Sequence, residues 1–219
     1  MKLSTAHSTV KICSVLVIIQ TIRILLSQKL LSFLEKTNLT IDTVSMAAMV
    51  FLTLVILFAA KELEVSFSFL PEIRTSRQKK IYGIITAVVL LLIASTVFVT
   101  RDASTGAVLT LLYSTIVTPV FEELIFRGYV WNALRESGKS EFQTYIFSTI
   151  LFALWHLGYA DVIWLKISLL GTGENLLFIM LMKVAVGLFF GIIVGFVRYK
   201  TKSTYAAMLM HAAMNVFGR

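Results

Sequence analysis

The run Thr118-Pro119-Val120-Phe121-Glu122-Glu123-Leu124-Ile125-Phe126-Arg127-Gly128 sets two adjacent carboxylates and an arginine in the middle of a long apolar segment. On either side the chain reads as membrane-spanning helix. A charged side chain at the centre of such a helix costs roughly 2.5–3.5 kcal/mol even on lenient insertion scales. Three charges this close together are tolerated only where they face protein or water and pair among themselves. That requirement points to a bundle of transmembrane helices closed around a polar interior. It also makes the cluster the first candidate for chemistry.

Composition agrees. Of 219 residues 58% are apolar, mean hydropathy is +0.86 and only two are proline, as in a polytopic membrane protein. Charged residues make up 15%, well below the share usual in soluble domains. A formal charge of +8 would suit a nucleic-acid binder, but the basic residues sit in short connectors, where they read as topology signals. Nucleic acid is therefore not an expected partner; the lipid bilayer is. Cys13 is the only cysteine, so no disulfide can form within the chain. Lys2 and Lys11 ahead of an apolar run imitate a signal peptide. No small-x-small cleavage site follows, and Arg23 and Lys29 interrupt the run, so it is expected to remain as a first span.

A span needs about 20 mostly apolar residues. Seven segments qualify: 10–33, 43–60, 81–100, 106–133, 143–158, 175–197 and 205–217. The expected architecture is all-α, a single integral-membrane domain over 1–219, with 1–105 as peripheral N-terminal spans and 106–217 as the catalytic core. Gln20, Arg23 and Lys29 give the first segment a polar face, which would let its second half lie along the interface. The fifth and seventh are short and call for tilt or for extension by their flanks. With alternating sides, the N-terminus and the connectors 61–80, 134–142 and 198–204 share one face of the membrane. They hold most of the Lys and Arg, Lys2 and Arg74 included, against Lys36, Arg101, Lys166 and Arg219 opposite. That imbalance predicts a cytoplasmic N-terminus and an extracytoplasmic C-terminus. Gly187, Gly191 and Gly195 put a smooth stripe on the sixth segment, which reads as a packing seam.

Within the central run, Glu123 and Arg127 stand four apart with the acid first, the favourable order for a helical ion pair. Glu122 lies about 100° around the helix and has no such local partner. A glutamate in a low-dielectric cavity suits a group that takes and returns protons; a structural ion-pair network is the plainer alternative. Pro119 removes a backbone donor, in α-helical register the one that would serve Thr115, and should loosen the turn before the carboxylates. His156 lies near the end of the fifth segment among aromatics, where histidines are often only hydrogen-bonded core residues. His211 and Asn215, four apart, project from one face of the last helix. His7 sits in the polar N-terminal tail, so both membrane histidines are in late segments other than the one bearing the carboxylates. Together these side chains contain a base for water, a histidine to position it and donors for an oxyanion. Two histidines and a glutamate also resemble a catalytic zinc set.

Pro-x-x-Glu-Glu-x-x-x-Arg-Gly at 119–128, Phe-x-x-x-His at 152–156 and His-x-x-x-Asn at 211–215 resemble the motifs of the CAAX protease and bacteriocin-processing family, also called the Abi family. The likeness covers about residues 106–217 and includes the eukaryotic type II CAAX prenyl endopeptidases and bacterial lysostaphin-resistance-like proteins. It implies a glutamate-dependent intramembrane endopeptidase. Carried over by position, Glu122 and His156 activate water, His211 and Asn215 form the oxyanion hole, and Glu123 and Arg127 support the site. It implies no cofactor, with a zinc variant of the same site left open. His-Glu-x-x-His, Gly-x-Ser-x-Gly and Gly-x-Gly-Asp strings do not occur. The substrate is expected to be a membrane-associated peptide, prenylated or, as in the bacterial branch the compact chain resembles, a leader or bacteriocin precursor in the cell membrane. The alternative is a non-catalytic bacteriocin-immunity or scaffold protein. A transporter lacks the inverted repeat it would need. One difficulty stands out: His211 starts nearer the cytoplasmic side than Glu122 or His156, so convergence requires a tilted or offset last helix.

Overall fold

The structure is a computed structural model and describes residues 5–62, 75–171 and 173–217. Lys2, Arg74 and Arg219 of the charge count, and the side chain of His7, lie outside the described residues. All regular structure among the described residues is helical: α1 (Thr5–Leu31), α2 (Asn38–Glu62), α3 (Ser76–Thr100), α4 (Thr105–Glu136), α5 (Glu141–Leu170), α6 (Leu176–Thr201) and α7 (Thr204–Phe217). The first six are long and apolar enough to cross a membrane. The seven expected segments thus become six full spans and a 14-residue seventh helix. Polar residues set the starts. Thr75 with Gln78 and Ser140 with Gln143 form capping boxes, and Ser104 and Asn175 cap α4 and α6.

The outer surface is apolar, and a set of charged side chains is buried within an otherwise apolar core. Phe98 and Val99 are 81% exposed and Leu91 69%, whereas Arg23, Glu123 and Arg127 are fully buried. The polar face of α1 turns inward instead of along the interface. Arg23 Nη2 donates to the carbonyl of Gly158 and to Asp161 Oδ1, both at 2.7 Å, and Gln20 Nε2 reaches the carbonyl of Trp155. These contacts fall on α5, where a 3-10 turn, His156–Tyr159, joins two α-helical halves. The second half, Ala160–Leu170, supplies the extension by flanking residues that the short fifth segment required.

The glycine stripe of α6 faces α5. A Cβ on Gly195 would meet the Tyr145 ring at 2.9 Å, and one on Gly191 would press on Thr149 and Phe152. One on Gly187 would lie 2.6 Å from His156 Nδ1, so the seam brings the backbone of α6 directly against that imidazole.

The last helix is offset, and one carbonyl shows why. The carbonyl of Arg127 accepts from Arg198 Nε at 3.2 Å and from Thr204 Oγ1 at 3.0 Å. The α6–α7 turn is therefore level with Arg127, nine residues and about 13 Å short of the end of α4 at Glu136. Starting from inside, about 21 Å of helix brings α7 to the far face. There Val216 and Phe217 share a cavity wall with Thr100 at the end of α3 and Asp102 of the α3–α4 connector.

Candidate active site

α4 is not a plain helix. Two π turns, Tyr113–Val117 and Leu124–Val130, flank an α-helical turn Thr118–Glu123 that carries both glutamates. In the first, the Thr118 N–H bonds to the Tyr113 carbonyl five residues back. Continuing that register, the donor missing at Pro119 is the one due at Ser114, not Thr115. Asn215 Nδ2 of α7 takes its place, donating to the Ser114 carbonyl at 2.7 Å. Proline thus frees a backbone acceptor that docks the end of the last helix.

The second π turn carries Arg127, which closes the ion pair expected from spacing with Glu123 of the preceding turn. Arg127 Nε lies 3.2 Å from Glu123 Oε2 and Nη1 3.3 Å from Oε1, with both side chains fully buried. Arg127 also donates to the Gly191 carbonyl at 3.2 Å and stacks on the Phe152 ring at 4.4 Å. Glu123 is shared: His211 Nδ1 lies 2.8 Å from its Oε1. The other ring nitrogen, Nε2, is 3.9 Å from Glu122 Oε2. His211 therefore stands between the two adjacent carboxylates, one firm contact to Glu123 and one looser contact to Glu122.

Glu122 has no partner on its own helix, as its position on the helix wheel requires, but it is partnered across helices. Tyr159 donates its hydroxyl to Glu122 Oε1 at 2.6 Å and receives the Trp155 indole N–H at 3.0 Å. Tyr159 falls one residue past the fifth segment as drawn from hydropathy. Its signal was its place three residues after His156 and four after Trp155, the spacing of one helix face. His156 pairs its Nδ1 with the Phe152 carbonyl at 2.9 Å. With that nitrogen donating, Nε2 is left as an acceptor. Phe152 meets both imidazoles edge-on, at 5.0 Å from His156 and 5.8 Å from His211.

Glu122, His156, His211 and Asn215 all line one cavity of about 330 Å³, together with Tyr113, Tyr159 and residues of α2 and α6. At about 30 Å³ per water it has room for several waters. α2 contributes Asp42 and Met49 to its wall. The convergence comes from the sunken α6–α7 turn. Counting back from Arg127 to Glu122 along α4, and forward from Thr204 to His211 along α7, the helices reach about the same depth. Among the described residues, no three His, Cys, Asp or Glu side chains are grouped to hold a metal ion. His156 Nδ1 is held to the Phe152 carbonyl of its own helix, and Glu123 is engaged by Arg127 and His211.

The three motifs lie in order on three helices that line one cavity. A model of the type II CAAX prenyl endopeptidase Rce1-like family matches residues 104–217, just over half of the chain. The chain belongs to this family. Membership makes it a CAAX-type intramembrane protease at the level of the family, an integral membrane protein acting where peptides meet the bilayer. No curated protein and no solved structure matches the chain.

Proposed function

We propose that this protein is a glutamate-dependent intramembrane endopeptidase that hydrolyses a peptide bond by direct attack of water. The observation that carries the reading is the shared cavity, in which a buried carboxylate, two imidazoles and an amide face the same water-sized space. Glu122 takes the proton of the attacking water on Oε2, the oxygen not engaged by Tyr159. His156 accepts the second hydrogen of that water at Nε2 and so orients it. Attack forms the C–O bond and moves the carbonyl electrons onto oxygen. His211, with Glu123 against its Nδ1, presents an N–H at Nε2 to that oxyanion. Asn215 has two amide hydrogens; one holds the Ser114 carbonyl and the other serves the oxyanion. Collapse breaks the C–N bond as Glu122 returns its proton to the leaving amine.

Every oxygen and proton in this sequence is handled by side chains of the chain, so cleavage is expected to survive EDTA and 1,10-phenanthroline. Loss of cleavage that added zinc restores would overturn the metal-free step. Replacing the base is the sharper test. Glu122→Gln should lower turnover of a membrane peptide about a thousandfold while the protein stays inserted and folded. Full activity in that variant would remove Glu122 from the mechanism. Protection against a bacteriocin that survives both Glu122→Gln and His156→Ala would instead favour the non-catalytic immunity reading. The Lys and Arg imbalance supports a cytoplasmic N-terminus, checked by accessibility of Cys13 variants moved to each connector.

A further inference from the structure

One face of α6 forms a wall of the active-site cavity: Lys183, Val186, Gly187 and Phe190, spaced as neighbours on a helix. Its two ends differ. Phe190 is 5.7 Å from the His211 ring, and Gly187 abuts His156. Lys183 lies one turn further out, about 10 Å along the helix from Phe190. It is half-buried, seven residues inside the membrane span.

A second lysine, Lys166, lines the same end of the cavity, but it is already neutralised. Its ammonium pairs with Asp42 Oδ1 at 2.5 Å, and the other Asp42 oxygen accepts from Thr110 Oγ1. Lys183 has no such arrangement; among the described residues it makes no hydrogen bond and no ion pair. The charges acting on it are the Glu122 carboxylate, attractive from across the cavity, and Lys166, repulsive. Glu122 is engaged by Tyr159 and His211. Among the described residues, then, Lys183 is a cavity-lining cation with no hydrogen bond or ion pair of its own, at a depth where unpaired charge is costly.

We propose that Lys183 is a substrate-recognition residue that binds a carboxylate of the peptide being cleaved. This rests on the protease reading and adds to it the chemistry of the substrate. The carboxylate is either a free chain end or an acidic side chain on the portion of peptide lying along α6. An ammonium–carboxylate bond in this half-buried setting discriminates a charged from a neutral group by about tenfold.

Binding tests this without requiring turnover. Three peptides are compared in phosphatidylcholine nanodiscs carrying the Glu122→Gln protein: acetyl-Leu-Ala-Leu as free acid, the same peptide as carboxamide, and acetyl-Leu-Asp-Leu-amide. One or both carboxylate-bearing peptides should bind about tenfold tighter than the neutral one, and which does so identifies the source of the carboxylate. Lys183→Met should abolish the preference and Lys183→Arg retain it, with the unfolding midpoint of each variant confirming the fold. Equal binding of all three peptides, no binding up to millimolar concentration, or a preference that persists in Lys183→Met would overturn the proposal. So would loss of the preference in phosphatidylglycerol nanodiscs, which would assign Lys183 to a lipid phosphate. Cleavage by the wild type without carboxylate preference would sink this inference alone. Preference without cleavage would sink the protease reading alone.

Discussion

At the scale of single residues, the site is a set of commitments that leave particular atoms free. Glu122 Oε1 is taken by Tyr159, and His156 Nδ1 by the Phe152 carbonyl. His211 Nδ1 is taken by Glu123. The free atoms are what the proposed mechanism uses. Tyr159→Phe removes one hydrogen bond to a buried carboxylate and keeps the ring; cleavage should fall about tenfold with the cavity intact. Gly187→Ala puts a methyl 2.6 Å from His156 Nδ1, so the ring must leave its place. Cleavage should fall at least as far as in Tyr159→Phe, and an unfolding midpoint near wild type would show the effect is local. The four candidates that line the cavity could be named from sequence because glutamate, histidine and asparagine are conspicuous in apolar helices. Tyr159 carried only its spacing to Trp155 and His156 as a signal, a weak one because tyrosine is common near membrane interfaces for other reasons.

At the scale of elements, the departures from regular helix do the positioning. The π register ahead of Pro119 moves the unserved carbonyl to Ser114, and Asn215 uses it. Pro119→Ala restores a backbone donor that competes with Asn215; cleavage should drop several-fold without loss of insertion. Thr204→Val removes a hydroxyl that donates to Arg127, in a fully buried position, and should cost about 1 kcal/mol in unfolding measured in detergent. The positions of the helices could be read from hydropathy to within a few residues. Their irregularities could not: a π turn leaves no periodic signature, and the α-register reading of Pro119 pointed one carbonyl too far along.

At the scale of the whole molecule, an apolar outer surface encloses a largely apolar core in which a few buried polar contacts join helices far apart in sequence. Arg23 of α1 holds the 3-10 turn of α5 through Gly158 and Asp161, and that turn carries His156 and Tyr159. Arg23→Ala should lower stability by about 2 kcal/mol, because Asp161 and the Gly158 carbonyl lose a charged donor. Arg23→Met with Asp161→Leu should recover part of that loss, the carboxylate no longer being left unpaired. Both are read as shifts in the unfolding midpoint.

Sequence by itself determined that the chain is an all-α membrane protein whose intramembrane charges must be gathered inside, because the cost of charge in lipid is local and large. It also determined which family the last four segments resemble, through three short motifs. Tertiary structure alone decided that α7 starts about 13 Å below the end of α4, bringing His211 level with Glu122. It likewise decided that Tyr159 closes on Glu122 and that Lys183 lines the same cavity with no ion pair among the described residues. Each of these depends on a contact between residues many positions apart, and hydropathy and spacing along one helix carry no information about which helix lies opposite.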